Sequence, residues 1–356
     1  MSMTKAASMG ARRAWYGAAQ LARIAWFTGH YIAGRRTMGP LTRPGEAPPA
    51  EEFPGLDRAG LRNAFRQLFR DDWRNIEAGQ YKLPLELRRP PSIAKLARQS
   101  RDYFIDAARV ARRRFDNGHS EVMNDELAAR FPRYFLQNFH FQSDGWMSQE
   151  SAERYGMQVE TLFTGAGAAM RRQALPLIRR AIGERDAAAL DYLDLACGDG
   201  SFLESVLDNW PGLRAAALDL SPAYLGKARA TLAAHRGVRF IEGMAEETGL
   251  PDASFDIIAA VYLFHELPPK IRVKVAAEIA RLLRPGGVFI LVDTIQYGDE
   301  PGFDTLLASF PHAFHEPYYD SYCRLDLTDH FAASGLKKCE ERLAFLTKAT
   351  SFLKSA

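Results

Sequence analysis

The run Ala196-Cys197-Gly198-Asp199-Gly200 and the later acid Asp219 are the residues whose types and spacing suggest chemistry. Small residues permit a tight turn and let a ligand approach the backbone closely. Placed between a strand and a helix, such a turn aims free N–H groups and the positive end of a helix dipole at that ligand. A carboxylate about twenty residues further on, closing the apolar run Leu213 to Leu218, can accept from both hydroxyls of a ribose. On these residues alone, a dinucleotide and another nucleoside-bearing ligand stand level. Two features argue against the dinucleotide. Asp194 lies inside the preceding apolar run, where it would repel a pyrophosphate and attract a cation. The spacing Ala196-x-Gly198-x-Gly200 also lacks the third glycine of the dinucleotide fingerprint.

Regular elements must hold these residues in place. Leu190, Tyr192, Leu193 and Leu195 form the short apolar run of a strand buried on both faces, and Phe202, Leu203, Val206 and Leu207 then recur at helical spacing. From Gly183 onward the pattern alternates strand and helix, which implies a parallel sheet with right-handed crossovers. Strands are expected near 190–196, 214–219, 238–242, 255–260, 287–293 and 341–347. Helices are expected near 150–163, 167–182, 201–208, 222–235, 269–283 and 325–334. Ser221-Pro222 supplies an N-cap and a first-turn proline for one of them.

Four segments occur in an order that resembles the class I S-adenosylmethionine-dependent methyltransferases: DLACGDG, ALDLS at Ala217–Ser221, FDIIAAVYLFHEL, and LLRPGGVFILVD. The chain is most similar to the small-molecule branch that includes the quinone-biosynthesis C-methyltransferases, over about Tyr155 to Phe352. The resemblance implies a doubly wound, mostly parallel seven-stranded sheet of the Rossmann-like methyltransferase type, with Leu343–Leu346 in an antiparallel terminal strand. It implies S-adenosyl-L-methionine as cofactor and a small-molecule acceptor. By match of motif, Ala196, Cys197, Gly198 and Gly200 would meet the methionine moiety and ribose, with Asp194 near the amino group. Asp219 would take the ribose hydroxyls and Leu220 would flank the adenine. Met244, Ala245 and Glu246 would border the adenine edge, with Met244 where many relatives carry an aspartate. Tyr262 would border the methyl group.

Catalytic roles are expected for His265, whose imidazole titrates near neutrality and suits a general base, and for Tyr155, placed by the resemblance at the methionine end. A local structural role for His265 and an aromatic joint around Tyr155 are the alternatives. The aromatic stretch Tyr134 to Phe163 contains Trp146. The segment Phe303–Tyr322 contains His315, Tyr318 and Tyr319. These four are the expected acceptor contacts, and the aromatic content favours a planar or hydrophobic acceptor over a highly charged one. No carboxylate cluster of the catechol-methyltransferase kind is visible, and no metal is expected.

Composition places limits on the rest. The 356 residues suit one catalytic domain, expected over 141–356, behind a helical, arginine-rich extension over 1–140 with a proline-rich linker near 38–56. Residues 1–150 hold 24 Lys+Arg against 16 Asp+Glu, and residues 151–356 hold 22 against 27. Three cysteines form no disulfide framework or metal spacing, and no apolar run reaches the ~18 residues of a membrane span, so the cytoplasm is the expected compartment. Residues 11–37 mix aromatics with arginines, a composition shared by helices that pack on a protein body and by peripheral membrane helices. A homodimer is compatible with the sequence. DNA is not expected as a partner. RNA or protein recognition by the basic extension, and binding of the cofactor without turnover, are the competing readings.

Overall fold

A computed structural model describes residues 3–38, 53–116, 118 and 120–355. Most of the expected linker lies outside the described residues. The N-terminal part is helical: α1 (Met3–Met38), α2 (Arg58–Glu77), α3 (Leu85–Arg88), α4 (Ile93–Asp116) and α5 (Asp125–Arg130). The helix α5 stops at Arg130, because Phe131 is extended ahead of Pro132. Next come α6 (Gln149–Leu162), α7 (Gly167–Arg172) and α8 (Leu175–Ile182), so the single helix expected over 167–182 is broken at Gln173-Ala174.

The alternating region then runs β1 (Asp191–Leu195), α9 (Ser201–Asn209), β2 (Arg214–Asp219), α10 (Pro222–Thr231), β3 (Arg239–Glu242), β4 (Phe255–Val261), α11 (Pro269–Leu282) and β5 (Leu283–Thr294). It ends with α12 (Asp304–Phe314), α13 (Tyr319–Cys323), α14 (Leu327–Ala332), β6 (Leu336–Ala344) and β7 (Thr347–Lys354). The strands form one seven-stranded sheet in the order β3-β2-β1-β4-β5-β7-β6. β1 to β5 pair in parallel, and β7 runs antiparallel to both neighbours, so the sheet is mixed. The antiparallel strand is not the Leu343–Leu346 run expected from the sequence. That run closes β6 and forms the hairpin turn, with Phe345 at φ 62°, and β7 follows it.

Burial explains the strand assignments. Leu193, Leu195, Ile257, Ile258, Phe289, Ile290 and Leu291 are all fully buried, as strands covered by helices on both faces must be. The order reverses between β1 and β4, where ligands of open α/β sheets bind beyond the carboxyl ends of the strands. Gly200 turns the chain from β1 into α9 at φ +77°, and a Cβ there would come 3.1 Å from the Cα of Ala228 in α10. Both the conformation and the space require glycine.

The N-terminal helices share the core of the sheet. Tyr16, Trp73, Ile76, Tyr81 and Leu87 belong to the same buried cluster as Tyr192, Phe202 and Ile290. Beside it lies a buried ionic knot. Arg172 holds Asp72 through two hydrogen bonds, Nε to Oδ1 at 2.9 Å and Nη2 to Oδ2 at 2.8 Å. Tyr16 and Tyr81 donate to the same carboxylate at 2.6 and 2.7 Å. These bonds join α1, α2 and α7 in one place.

Candidate active site at the carboxyl edge of the sheet

A cavity opens over the switch point. Ala196 and Gly198 from the turn after β1, Asp219, Leu220 and Ser221 after β2, Ala245 after β3, and Tyr262 after β4 all line it. Gly198 has φ +55° and nothing within 4 Å of where a Cβ would stand, so a ligand can lie against its backbone. Ala196 adopts φ +60°, the left-handed region that glycine occupies without strain. The Asp219 carboxylate accepts from Gly198 N at 2.8 Å and Ser221 N at 2.9 Å, tying the two strand ends together. Burial pushes its pKa up to about 6 against the pull of those N–H groups.

Several expected ligand contacts fall outside the lining. Asp194 is 1% exposed, sits in register between Ala217 and Ala259 inside the sheet, and has no hydrogen-bond partner for Oδ2 among the described residues. Burial, then the charges of Asp219 and Asp199, raise its pKa well above the carboxylate range. Cys197 is turned inward, and Gly200 shapes the turn instead of facing the cavity. Met244 bridges to Glu247, and Glu246 accepts from Tyr134 Oη at 2.6 Å, which leaves Ala245 as the lining member of that trio.

The opposite wall is aromatic. Trp146, Tyr155 and Tyr224 pack edge to face with centroid separations of 5.4 to 5.8 Å. The Trp146 carbonyl accepts from Ser221 Oγ at 2.5 Å, which places this expected acceptor contact beside the Asp219 end instead. Burial raises the Tyr155 pKa, so its hydroxyl keeps its proton and can only donate one. Tyr319 lines the cavity, stacks on Phe310 at 5.3 Å and shares a 2.8 Å hydrogen bond with Thr294. His315 and Tyr318 do not line it. Both are engaged by Gln137, each at 3.1 Å, because Glu316 and Tyr319 occupy the inward positions of that segment.

His265 is buried between carboxylates. Its Nδ1 lies 2.5 Å from Asp293 Oδ1, and its Nε2 lies 3.6 Å from Glu266 Oε1. Burial opposes charge on the ring, but the charge of Asp293, its hydrogen bond and Glu266 outweigh it and raise the pKa well above the usual value. A protonated imidazole has no lone pair to take a proton, so this environment works against the general-base role. Beyond it, His140 Nε2 stands 2.8 Å from Glu316 Oε1 and 3.8 Å from Glu266 Oε1.

Sequence reasoning gave no role to His140, Tyr134, Tyr224 or Asp293. Asp293 carried a usable signal, an acid ending the apolar run of β5. His140 and Tyr134 belong to the aromatic stretch Tyr134 to Phe163, but no motif singled out either residue.

Residues 193–287 match the family model described as a methyltransferase domain. The chain is 30% identical over 127 residues to an uncharacterized methyltransferase of Synechocystis, a match covering 36% of this chain and 56% of that protein. It is 35% identical over 134 residues to the malonyl-[acyl-carrier protein] O-methyltransferase of Serratia marcescens, covering 35% and 48%. It is 30% identical over 112 residues to the demethylmenaquinone methyltransferase of Lactococcus lactis, covering 31% and 44%. The chain thus spans about half the length of the relatives it matches.

Proposed function

We propose, for a chain that carries a class I S-adenosylmethionine-dependent methyltransferase domain, that the protein moves a methyl group from S-adenosylmethionine to a small, aromatic or otherwise apolar organic acceptor. The observation that carries this is one cavity lined by two unlike sets of residues, which we read as its cofactor and acceptor ends. Ala196, Gly198 and Asp219 line one end, and Phe310, Tyr319 and Leu307 line the other.

The residues present fit the cofactor. The open face of Gly198 accepts close approach, and Asp219 is a lining carboxylate placed for a ribose. Asp194 lies buried beneath the turn with Oδ2 unpartnered; burial favours its neutral form in the ligand-free chain, and a cationic ligand above it would favour the ionised one. When bound, the cofactor supplies an electrophilic methyl on a positively charged sulfur. That methyl would pass to an acceptor atom, with the electron pair of the broken carbon–sulfur bond remaining on sulfur.

The chain's own task is then alignment and exclusion of water. Tyr155, Trp146 and Tyr224 close the cavity over the turns. Tyr262, anchored by a 2.6 Å hydrogen bond to Thr347, lines the same cavity. His265, fixed by Asp293 through Nδ1, turns Nε2 toward Glu266 on the cavity wall. The wall of Phe310 and Tyr319 favours a flat or apolar body. The relatives named above act on different acceptors, a carrier-bound malonyl group and a demethylmenaquinone, so the wall is the better guide to acceptor class.

Calorimetry with S-adenosylhomocysteine tests the reading. Binding at one site, lost or strongly weakened in Asp219→Ala, is the expected result. No binding, or an Asp219→Ala variant that binds like the parent, overturns it.

A further inference from the structure

We propose that His140, Glu266 and Glu316 hold a divalent first-row transition-metal ion at the acceptor end of the cavity, and that this ion ligates an oxygen of the acceptor. The metal site stands on its own geometry. The role of the acceptor oxygen rests on the methyltransferase reading.

Three distant segments meet here. His140 comes from the single turn Phe139–Phe141, Glu266 from the turn after β4, and Glu316 from the link between α12 and α13. One ligand atom from each lies within 4.8 Å of the others. The closest pairs are 2.8 and 3.8 Å apart. Donors at about 2.0–2.2 Å around a tetrahedral ion stand roughly 3.4 Å from one another, so an ion enters this corner with small side-chain movements. All three residues line the cavity, so a molecule in the cavity can reach an ion held between them.

A second observation points to a missing electrophile. Glu316 is 3% exposed, yet its Oε2 has no hydrogen-bond partner among the described residues, and the same holds for Oε2 of Glu266. Buried carboxylate oxygens without donors are costly unless a cation answers them. His265, held by Asp293 through Nδ1, stands with Nε2 3.6 Å from Glu266 Oε1. One imidazole with two carboxylates suits manganese, iron or zinc in the divalent state better than copper(I) or calcium.

At this position the ion would lower the pKa of a ligated hydroxyl or carboxylic acid, whose proton leaves to solvent on ligation. The oxygen lone pair then forms the bond to the methyl carbon as the carbon–sulfur bond breaks. No motif announced the site, because its ligands sit at 140, 266 and 316 and share no short spacing.

The test uses the full chain, stripped with chelator and titrated with MnCl2 (free ion read by electron paramagnetic resonance) and with ZnCl2 (calorimetry). S-adenosylhomocysteine binding is measured alongside as a check that each variant is folded. One ion per chain is expected, with Glu316→Gln and Glu266→Gln each weakening it at least about tenfold while S-adenosylhomocysteine affinity holds. Absence of binding by either metal at millimolar concentration overturns the site, as does binding that both substitutions leave unchanged. Metal binding without S-adenosylhomocysteine binding would uphold the site and refute the methyltransferase reading.

Discussion

Asp219 shows how one carboxylate couples ligand, proton and fold. Burial holds its pKa near 6 in the folded chain, above the value of a free carboxylate. Ribose hydroxyls donate best to the ionised form, so S-adenosylhomocysteine affinity is expected to fall as pH drops through about 6, and Asp219→Asn to flatten that profile. Stability of the ligand-free chain runs the other way. Between the ordinary carboxylate value and about 6 the folded state binds a proton that the unfolded state does not, so Asp219 destabilises the fold progressively as pH rises across that window. Calorimetric titrations at pH 5, 6 and 7 read the first effect. A pH-independent affinity would remove Asp219 from the ligand contacts. Sequence identified Asp219 by position but not its proton affinity, since the N–H groups of Gly198 and Ser221 and the depth of burial arise only on folding.

At the scale of an element, α1 is two-sided. Tyr16 and Phe27 are buried against the body, while Trp15, Leu21, Trp26 and Ile32 are 46%, 67%, 38% and 48% exposed. Arg12, Arg13 and Arg36 are exposed toward its ends. Both sequence readings of this helix therefore keep support, a packed face and a face suited to an anionic interface. No helix among the described residues is long and apolar enough to cross a membrane, so the association proposed is peripheral. Sedimentation with phosphatidylglycerol vesicles is expected to carry the protein down at low salt. Replacing Trp15, Leu21, Trp26 and Ile32 together by serine should abolish this without changing S-adenosylhomocysteine binding. Failure of the parent protein to sediment would reject the idea.

At the scale of the molecule, the knot of Asp72 and Arg172 ties the N-terminal helices to the sheet. Removing one partner strands a buried charge, and Asp72→Ala is expected to cost about 3–5 kcal/mol in urea unfolding. The paired change Asp72→Leu with Arg172→Met should recover only part of the loss, because it removes the ion pair but leaves Glu86 without Arg172 and the buried hydroxyls of Tyr16 and Tyr81 without their acceptor. Equal losses in both variants would deny the pair that role. Sequence alone determined the strand–turn–helix unit, the parallel order through β5, and the turn residues Ala196, Gly198 and Asp219, because these follow from local periodicity and from small residues at fixed spacing. Tertiary structure decided that His315 and Tyr318 face Gln137, that Asp194 lies beneath the turn, that β7 follows the Leu343–Leu346 turn, and that His140 meets Glu266 and Glu316. Those outcomes depend on which side of an irregular segment faces inward and on contacts between residues far apart in the chain, and neither leaves a period in the sequence.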